Sequence, residues 1–197
     1  MNAISSAAMQ LFLAGGIEQT TIDDITQAAG VAKGSFYRYF EDKTALVAHL
    51  FEPVRLEIVA AMEACSRSLD TETDRQKMLT AWRDLGESLT GTVFSHVGVV
   101  RLYLQESRAP ATGARTPVVS TSDMIGRYAT EITRKAHGHG LLRGSIHPAV
   151  SALAVVGAVE RLLTALFAGE EIGNPLDVPR SLTTLILDGL RAENEPS

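Results

Sequence analysis

Apolar residues recur every three or four positions along almost the whole chain, and no run of four to eight residues alternates apolar with polar between turn signals. The pattern predicts an all-α protein. Ile4, Ala8, Leu11 and Phe12 share one stripe of a first helix that stops at Gly15 and Gly16, a usual helix-ending pair. In TTIDDITQAAG, Thr21 can cap the next turn with Asp24 three residues on, and Asp23 and Asp24 complement the positive helix end. Gly30 closes this short second helix. VAKGSFYRYF, residues 31–40, is a third short helix, and EDK opens a fourth from about Lys43 to Ser68, with Pro53 inside it as a kink.

Further along, DTETD at 70–74, Gly91, SRAPATGARTP at 107–117, GHGLLRGSIHP at 138–148 and EEIGNPLDVP at 170–179 mark turns and leave five more helices. The chain therefore divides into a small N-terminal domain, residues 1–45, and a larger helical body, residues 46–197. Neither repeats nor low-complexity tracts interrupt it.

Composition narrows the class. A chain of 197 residues with 45 % hydrophobic side chains buries about 70 % of the surface that its unfolded form exposes, so a core forms without staples. Cys65 is the single cysteine, which excludes an internal disulfide and a thiolate metal cluster and fits a reducing cytoplasm. The opening MNAISSAAMQLFLAGG lacks a basic start and carries Ser5, Ser6 and Gln10 within its apolar stretch, unlike a signal peptide. Glu, Arg or Gly interrupts every apolar run before about 20 residues. Neither export nor membrane spanning is expected.

Residues 31–40 hold four aromatics and two cations in a chain that is 6 % aromatic with a formal charge of −5. Two short helices joined by a glycine-containing turn form a helix-turn-helix, whose second helix lies in the DNA major groove. On that second helix Phe36 and Phe40 are four apart and face Ile22, Ile25, Ala28 and Leu46 as core anchors. Lys33, Ser35, Tyr37 and Arg38 are left for the outer side and the N-terminal end, and Gly34 lets the backbone approach the groove.

TTIDDITQAAGVAKGSFYRYFEDKTAL, with ISSAAMQLFLAGG before it, resembles the DNA-binding signature of the tetracycline-repressor-like (TetR) family of bacterial transcriptional regulators. The resemblance covers about residues 4–50, and chain length and helical body agree with the family. It implies an N-terminal three-helix helix-turn-helix domain followed by a larger helical domain for ligand binding and dimerisation. Residue by residue, it implies base or groove contacts by Lys33, Gly34, Tyr37 and Arg38, and phosphate contacts by Thr21, Ser35, Tyr39 and Lys43. One departure stands out. Members of the family commonly carry Lys or Arg just ahead of the first helix, whereas the first cation here is Lys33, and residues 1–50 hold three cations against five acids. Either affinity comes from a locally positive recognition helix doubled by dimerisation, or the natural start lies upstream.

The body supplies two further expectations. HPAVSALAVVGAVERLLTALFAG is apolar on almost every side and must be covered all round. Val155, Val159, Leu162 and Leu166 form one stripe, and Leu182, Leu185 and Ile186 lie at suitable spacing on the last helix; in the resembled family these two helices make a four-helix dimer seam. Between the fourth helix and the seam, Trp82, Phe94, Tyr103, Glu106, Met124 and Tyr128 combine apolar lining with a few polar groups, as a small-molecule cavity does. The sparse charge there points to an apolar or amphipathic effector.

Enzyme chemistry finds no foothold. His137 and His139 form an HxH pair in a glycine-rich turn without a third ligand type nearby, and His147 before Pro148 reads as a helix start. Catalytic residues, metal ligands and cofactors are not expected, since no phosphate loop, nucleophile elbow or paired carboxylates occur. The sequence thus reads as a cytoplasmic homodimeric repressor that binds palindromic operator DNA under effector control. A ligand-binding helical protein with weak or lost DNA binding is the alternative.

Overall fold

The computed structural model describes residues 1–72, 74–142, 145–174, 177–178, 181 and 184–185. Among them every regular element is helical: α1 (Asn2–Gly15), α2 (Ile22–Ala28), α3 (Lys33–Tyr37), α4 (Lys43–Thr71), α5 (Arg75–Ser95), α6 (Val97–Glu106), a 3₁₀ turn (Gly113–Arg115), α7 (Thr116–Gly138) and α8 (Pro148–Phe167). The protein is all-α, with an N-terminal helix-turn-helix and a larger helical body. By packing, residues 1–56 and 95–123 make one compact unit and the described residues of 57–94 and 124–185 another.

In the first unit α2 packs on α1 and α3, and α6 also packs on α1. Ile4, Ala8 and Phe12 of α1, with Ile17, Ile25, Phe36, Leu46 and Phe51, are fully or almost fully buried. Local chemistry sets the helix ends. Gly16 takes φ 85° and sends its N–H back to the Phe12 carbonyl. Thr21 and Asp24 form the reciprocal capping box expected at the start of α2. At its other end Gly30, at φ 66°, allows the paired bonds Gly30 N–H to Gln27 O and Val31 N–H to Thr26 O that close a helix through a left-handed residue.

The second unit is built on Met62, Cys65, Leu69, Met78, Ile132, Ala136, Leu141 and Leu142, with Trp82, Leu85 and Tyr128 among the side chains packed against them. His147 caps α8 through the Ala149 N–H, as its place before Pro148 predicts. Three local expectations are corrected. Ala28 is exposed rather than in the core. α5 continues through Gly91 without a break, since one glycine costs a helix only about 1 kcal/mol. α4, with Pro53 inside it as expected, ends at Thr71 rather than about Ser68.

Among the described residues α8 is the one helix long and apolar enough to cross a membrane, with mean hydropathy 1.8 over 18 residues. It carries Glu160 and Arg161, the latter paired with Glu170 at 3.1 Å. Only 17 % of that window is buried within the chain. Val150 and Leu153 are 60 % and 63 % exposed, whereas Val155, Val159, Leu162 and Leu166 are half-buried. Leu182 and Ile186 lie outside the described residues.

Candidate nucleic-acid interface

α3 is five residues long, too short to persist alone, and its place is fixed by aromatic packing. Phe36 is completely buried and Phe40 nearly so. The Phe36 ring meets Tyr37 edge-on at 5.4 Å between centroids and tilts against Phe40 at 5.6 Å, geometries that suit the aromatic quadrupole. The spacing that buries these two phenylalanines turns the rest of the segment outwards. Tyr37 and Tyr39 are 52 % and 47 % exposed. Lys33, Gly34 and Arg38 are exposed as well, and Ser35 is half-buried. The Arg38 guanidinium lies 6.0 Å from the Tyr39 ring centroid, at the edge of cation–π range. A Cβ added at Gly34 would meet nothing within 4 Å, so the fold itself does not demand glycine there.

Three of the expected DNA contacts, Lys33, Thr21 and Lys43, have partners within the chain. Lys33 Nζ lies 2.7 Å from Asp23 Oδ1, both side chains being well exposed. This hydrogen bond, with the attraction of the Asp23 charge, raises the Lys33 pKa above its ordinary value. Thr21 donates its hydroxyl to Asp24 Oδ2 at 2.6 Å and accepts from the Asp24 N–H at 3.1 Å. Hydrogen bonds from the Thr21 hydroxyl and backbone in turn hold the Asp24 carboxyl below the usual range. Lys43 Nζ donates to the carbonyls of Ile17 (2.7 Å), Glu18 (3.2 Å) and Thr20 (2.8 Å), which uses all three of its N–H groups. Lys43 thus braces the link between α1 and α2. That role was hidden in the sequence because its acceptors are backbone atoms more than 20 residues away.

The expected effector residues separate. Trp82 and Tyr128 pack on the same apolar cluster of the second unit. The Tyr128 hydroxyl donates to Glu63 Oε1 at 3.0 Å, and this bond, with burial, raises its pKa. The Trp82 indole N–H is buried without an acceptor among the described residues. Met124 is buried and Phe94 is 44 % exposed. Tyr103 and Glu106 belong to the first unit, where the Tyr103 hydroxyl lies 3.3 Å from Ser122 Oγ. Glu106 is 4 % exposed and paired with Arg115 at 2.7 Å. Burial alone would raise its pKa, but hydrogen bonds from Arg115 and the Ile17 N–H, the Arg115 charge and the Gln105 amide outweigh it and hold the carboxyl below its ordinary value. His139 places Nε2 2.7 Å from the Leu69 carbonyl. No group of three or more His, Cys, Asp or Glu among the described residues could hold a metal ion.

Residues 4–50 match the family described as bacterial regulatory proteins, tetR family. The HTH-type transcriptional regulator EthR of Mycobacterium tuberculosis is 26 % identical over 186 residues, 93 % of this chain and 82 % of that protein. Of the solved structures, NalD of Pseudomonas aeruginosa, the secondary repressor of the MexAB-OprM multidrug efflux pump, superposes with a TM-score of 0.74 at 20 % identity, over 98 % of both chains. The Bacillus subtilis regulator FadR in complex with stearoyl-CoA gives 0.68 at 15 % identity, over 96 % of this chain and 98 % of that one. At those identities the structural likeness establishes the fold.

Proposed function

We propose that this chain, which belongs to the tetR family of bacterial regulatory proteins, is a cytoplasmic homodimeric repressor whose binding to palindromic operator DNA is relieved by an apolar or amphipathic effector. The observation that carries the reading lies in the matched module: burial of Phe36 and Phe40 leaves Lys33, Gly34, Tyr37, Arg38 and Tyr39 exposed together on and after the second helix of a helix-turn-helix. Lys33, Gly34, Tyr37 and Arg38 are assigned to base edges and the groove, and Ser35 and Tyr39 to phosphates. Thr21 and Lys43 support the module from within.

Dimerisation follows from α8. Val150, Leu153, Ala154 and Ala158 are exposed on one apolar stripe of it, and such a stripe is a poor surface to leave in water. A two-fold seam along α8, reaching the half-buried Val155, Val159, Leu162 and Leu166, covers it. For the effector, Trp82, Met124 and Tyr128 supply an apolar lining, with the indole N–H as a donor waiting for an acceptor. The resemblance to FadR, solved with stearoyl-CoA, favours a ligand with a long apolar part.

A second reading, a ligand-binding protein with weak or lost DNA affinity, draws on the acidic balance of residues 1–50 and on Lys33 being held by Asp23. One experiment separates the two. Genomic fragments retained by the purified protein are sequenced, and affinity for the recovered site is measured at one fixed salt concentration. The repressor reading expects a palindromic site and a loss of about tenfold or more per half-site for Lys33→Ala or Tyr37→Ala. Retention of no fragment, or variants that bind as tightly as wild type, refutes it. Once an effector is in hand, linkage requires operator DNA to weaken effector binding by the same factor that the effector weakens DNA binding.

A further inference from the structure

A buried acid at the end of an apolar helix needs an explanation, and Glu106 stands at the end of α6. Its Oε1 accepts from the Ile17 N–H at 3.1 Å and from Gln105 Nε2 at 3.2 Å, and its Oε2 from Arg115 Nε at 2.7 Å. Gln105 Nε2 also donates to the Phe12 carbonyl at 3.1 Å. From the module, Glu18 Oε1 accepts the Arg115 backbone N–H at 3.2 Å. Two glycines make room for these carboxylates. A Cβ at Gly16, φ +85°, would come within 3.2 Å of Glu106 Oε1, and one at Gly113, φ +55°, within 3.0 Å of Glu18 Oε2. The positive φ favours glycine at both places, and a Cβ there would also press on these carboxylates.

The target of this network is the link between α1 and α2. The Ile17 N–H is held by Glu106, and the carbonyls of Ile17, Glu18 and Thr20 by Lys43. Thr20 adds a hydroxyl bond to the Gly16 carbonyl at 2.9 Å. The next residue, Thr21, is the cap on which α2 starts, and α2 carries α3 against it. Residues 105–115 lie outside the matched span 4–50, yet they hold the turn from which the DNA-facing helix is suspended.

We propose that Glu106 and Arg115 are positioning residues for DNA binding: their ion pair sets the α1–α2 turn, and through it the attitude of α3, so that operator affinity depends on a side-chain pair remote from the DNA. This rests on the reading of residues 33–39 as the DNA face. The pair acts as a unit, because removing one partner strands a buried charge on the other. Glu106→Gln keeps the shape and an acceptor for the Ile17 N–H while losing the charge that holds Arg115.

The test uses the full chain in four forms: wild type, Glu106→Gln, Arg115→Met and Arg115→Lys. Amide hydrogen exchange is followed by mass spectrometry, and affinity is measured for the duplex that wild type retains from genomic fragments. Glu106→Gln and Arg115→Met should speed exchange over residues 16–30 and weaken the duplex by about tenfold, the scale of one charged hydrogen bond, leaving α5 exchange unchanged. Arg115→Lys, which keeps the charge, should recover most of the affinity and serves where Arg115→Met does not fold. Faster local exchange with unchanged affinity shows a merely structural pair and overturns the proposal, as does no change in either readout. A wild type that retains no duplex refutes the DNA-binding reading and this role with it; variants that bind as well as a binding-competent wild type refute this role alone.

Discussion

Asp23→Asn should make the protein bind DNA more tightly, and more steeply with falling salt. Of the three cations in residues 1–50, Lys43 has its ammonium on three backbone carbonyls and the exposed Lys33 sits 2.7 Å from Asp23, while Arg38 is exposed beside it on the proposed DNA face. Each phosphate neutralised on a duplex adds about 0.9 to the slope of log affinity against log salt. Releasing Lys33 on both recognition helices of a dimer therefore steepens that slope by about 1.8. Over a fourfold change in salt, from about 50 to 200 mM, the advantage of the variant over wild type should shrink by about twelvefold. Fluorescence anisotropy with a labelled duplex of arbitrary sequence reads this directly, since the effect does not depend on the operator. Wild type, Asp23→Asn, Lys33→Ala and the double variant are compared across the salt series. The double variant must lose the gain, because Lys33 carries it. An Asp23→Asn slope equal to that of wild type, or a gain that persists without Lys33, refutes the reasoning.

Phe36→Ala removes a completely buried ring that also orients Tyr37; a loss of about 3–5 kcal/mol is expected, seen as a lowered urea midpoint and lost amide protection across residues 17–46. Leu153→Asp places a charge at a position already 63 % exposed in the single chain, so it should change subunit stability by less than about 0.5 kcal/mol while turning a sedimenting dimer into a monomer; an unchanged dimer places the seam elsewhere. Cys65 is buried, and burial, reinforced by Asp84 and opposed by Lys135, pushes its thiol up to about 12. At pH 8 it should resist iodoacetamide in the native protein and react once guanidinium unfolds it, and native labelling at the unfolded rate contradicts that burial.

What the sequence made legible is local. The capping box needs only Thr21 and Asp24, three residues apart; the burial of Phe36 and Phe40 follows from a spacing of four; the His147 cap sits beside its proline. Each interaction is closed within one helical turn, where periodicity and side-chain chemistry suffice. Helix boundaries were less legible, because the cost of Gly91 inside α5 is small against the packing on either side.

The polar side chains were harder to read, and for one physical reason. Thr21, Lys43 and Glu106 have the residue types that contact phosphate or ligand, but each is satisfied inside the chain: Thr21 by Asp24, Lys43 by carbonyls more than 20 residues away, and Glu106 by Ile17 and Arg115. A residue type states how many donors and acceptors a side chain brings, not which of them the fold consumes. Burial of a charge without partners is costly, so a fold that buries Glu106 must supply them, and it drew one from 89 residues away. The same accounting supports the proposed DNA face. Tyr37, Arg38 and Tyr39 are exposed beside the buried phenylalanines, and Lys33 is held by a single exposed carboxylate that solvent and salt can loosen. On the proposed reading Asp23, which the sequence pattern casts only as a complement to the α2 helix end, competes with the phosphate backbone for Lys33, the first Lys or Arg in the chain.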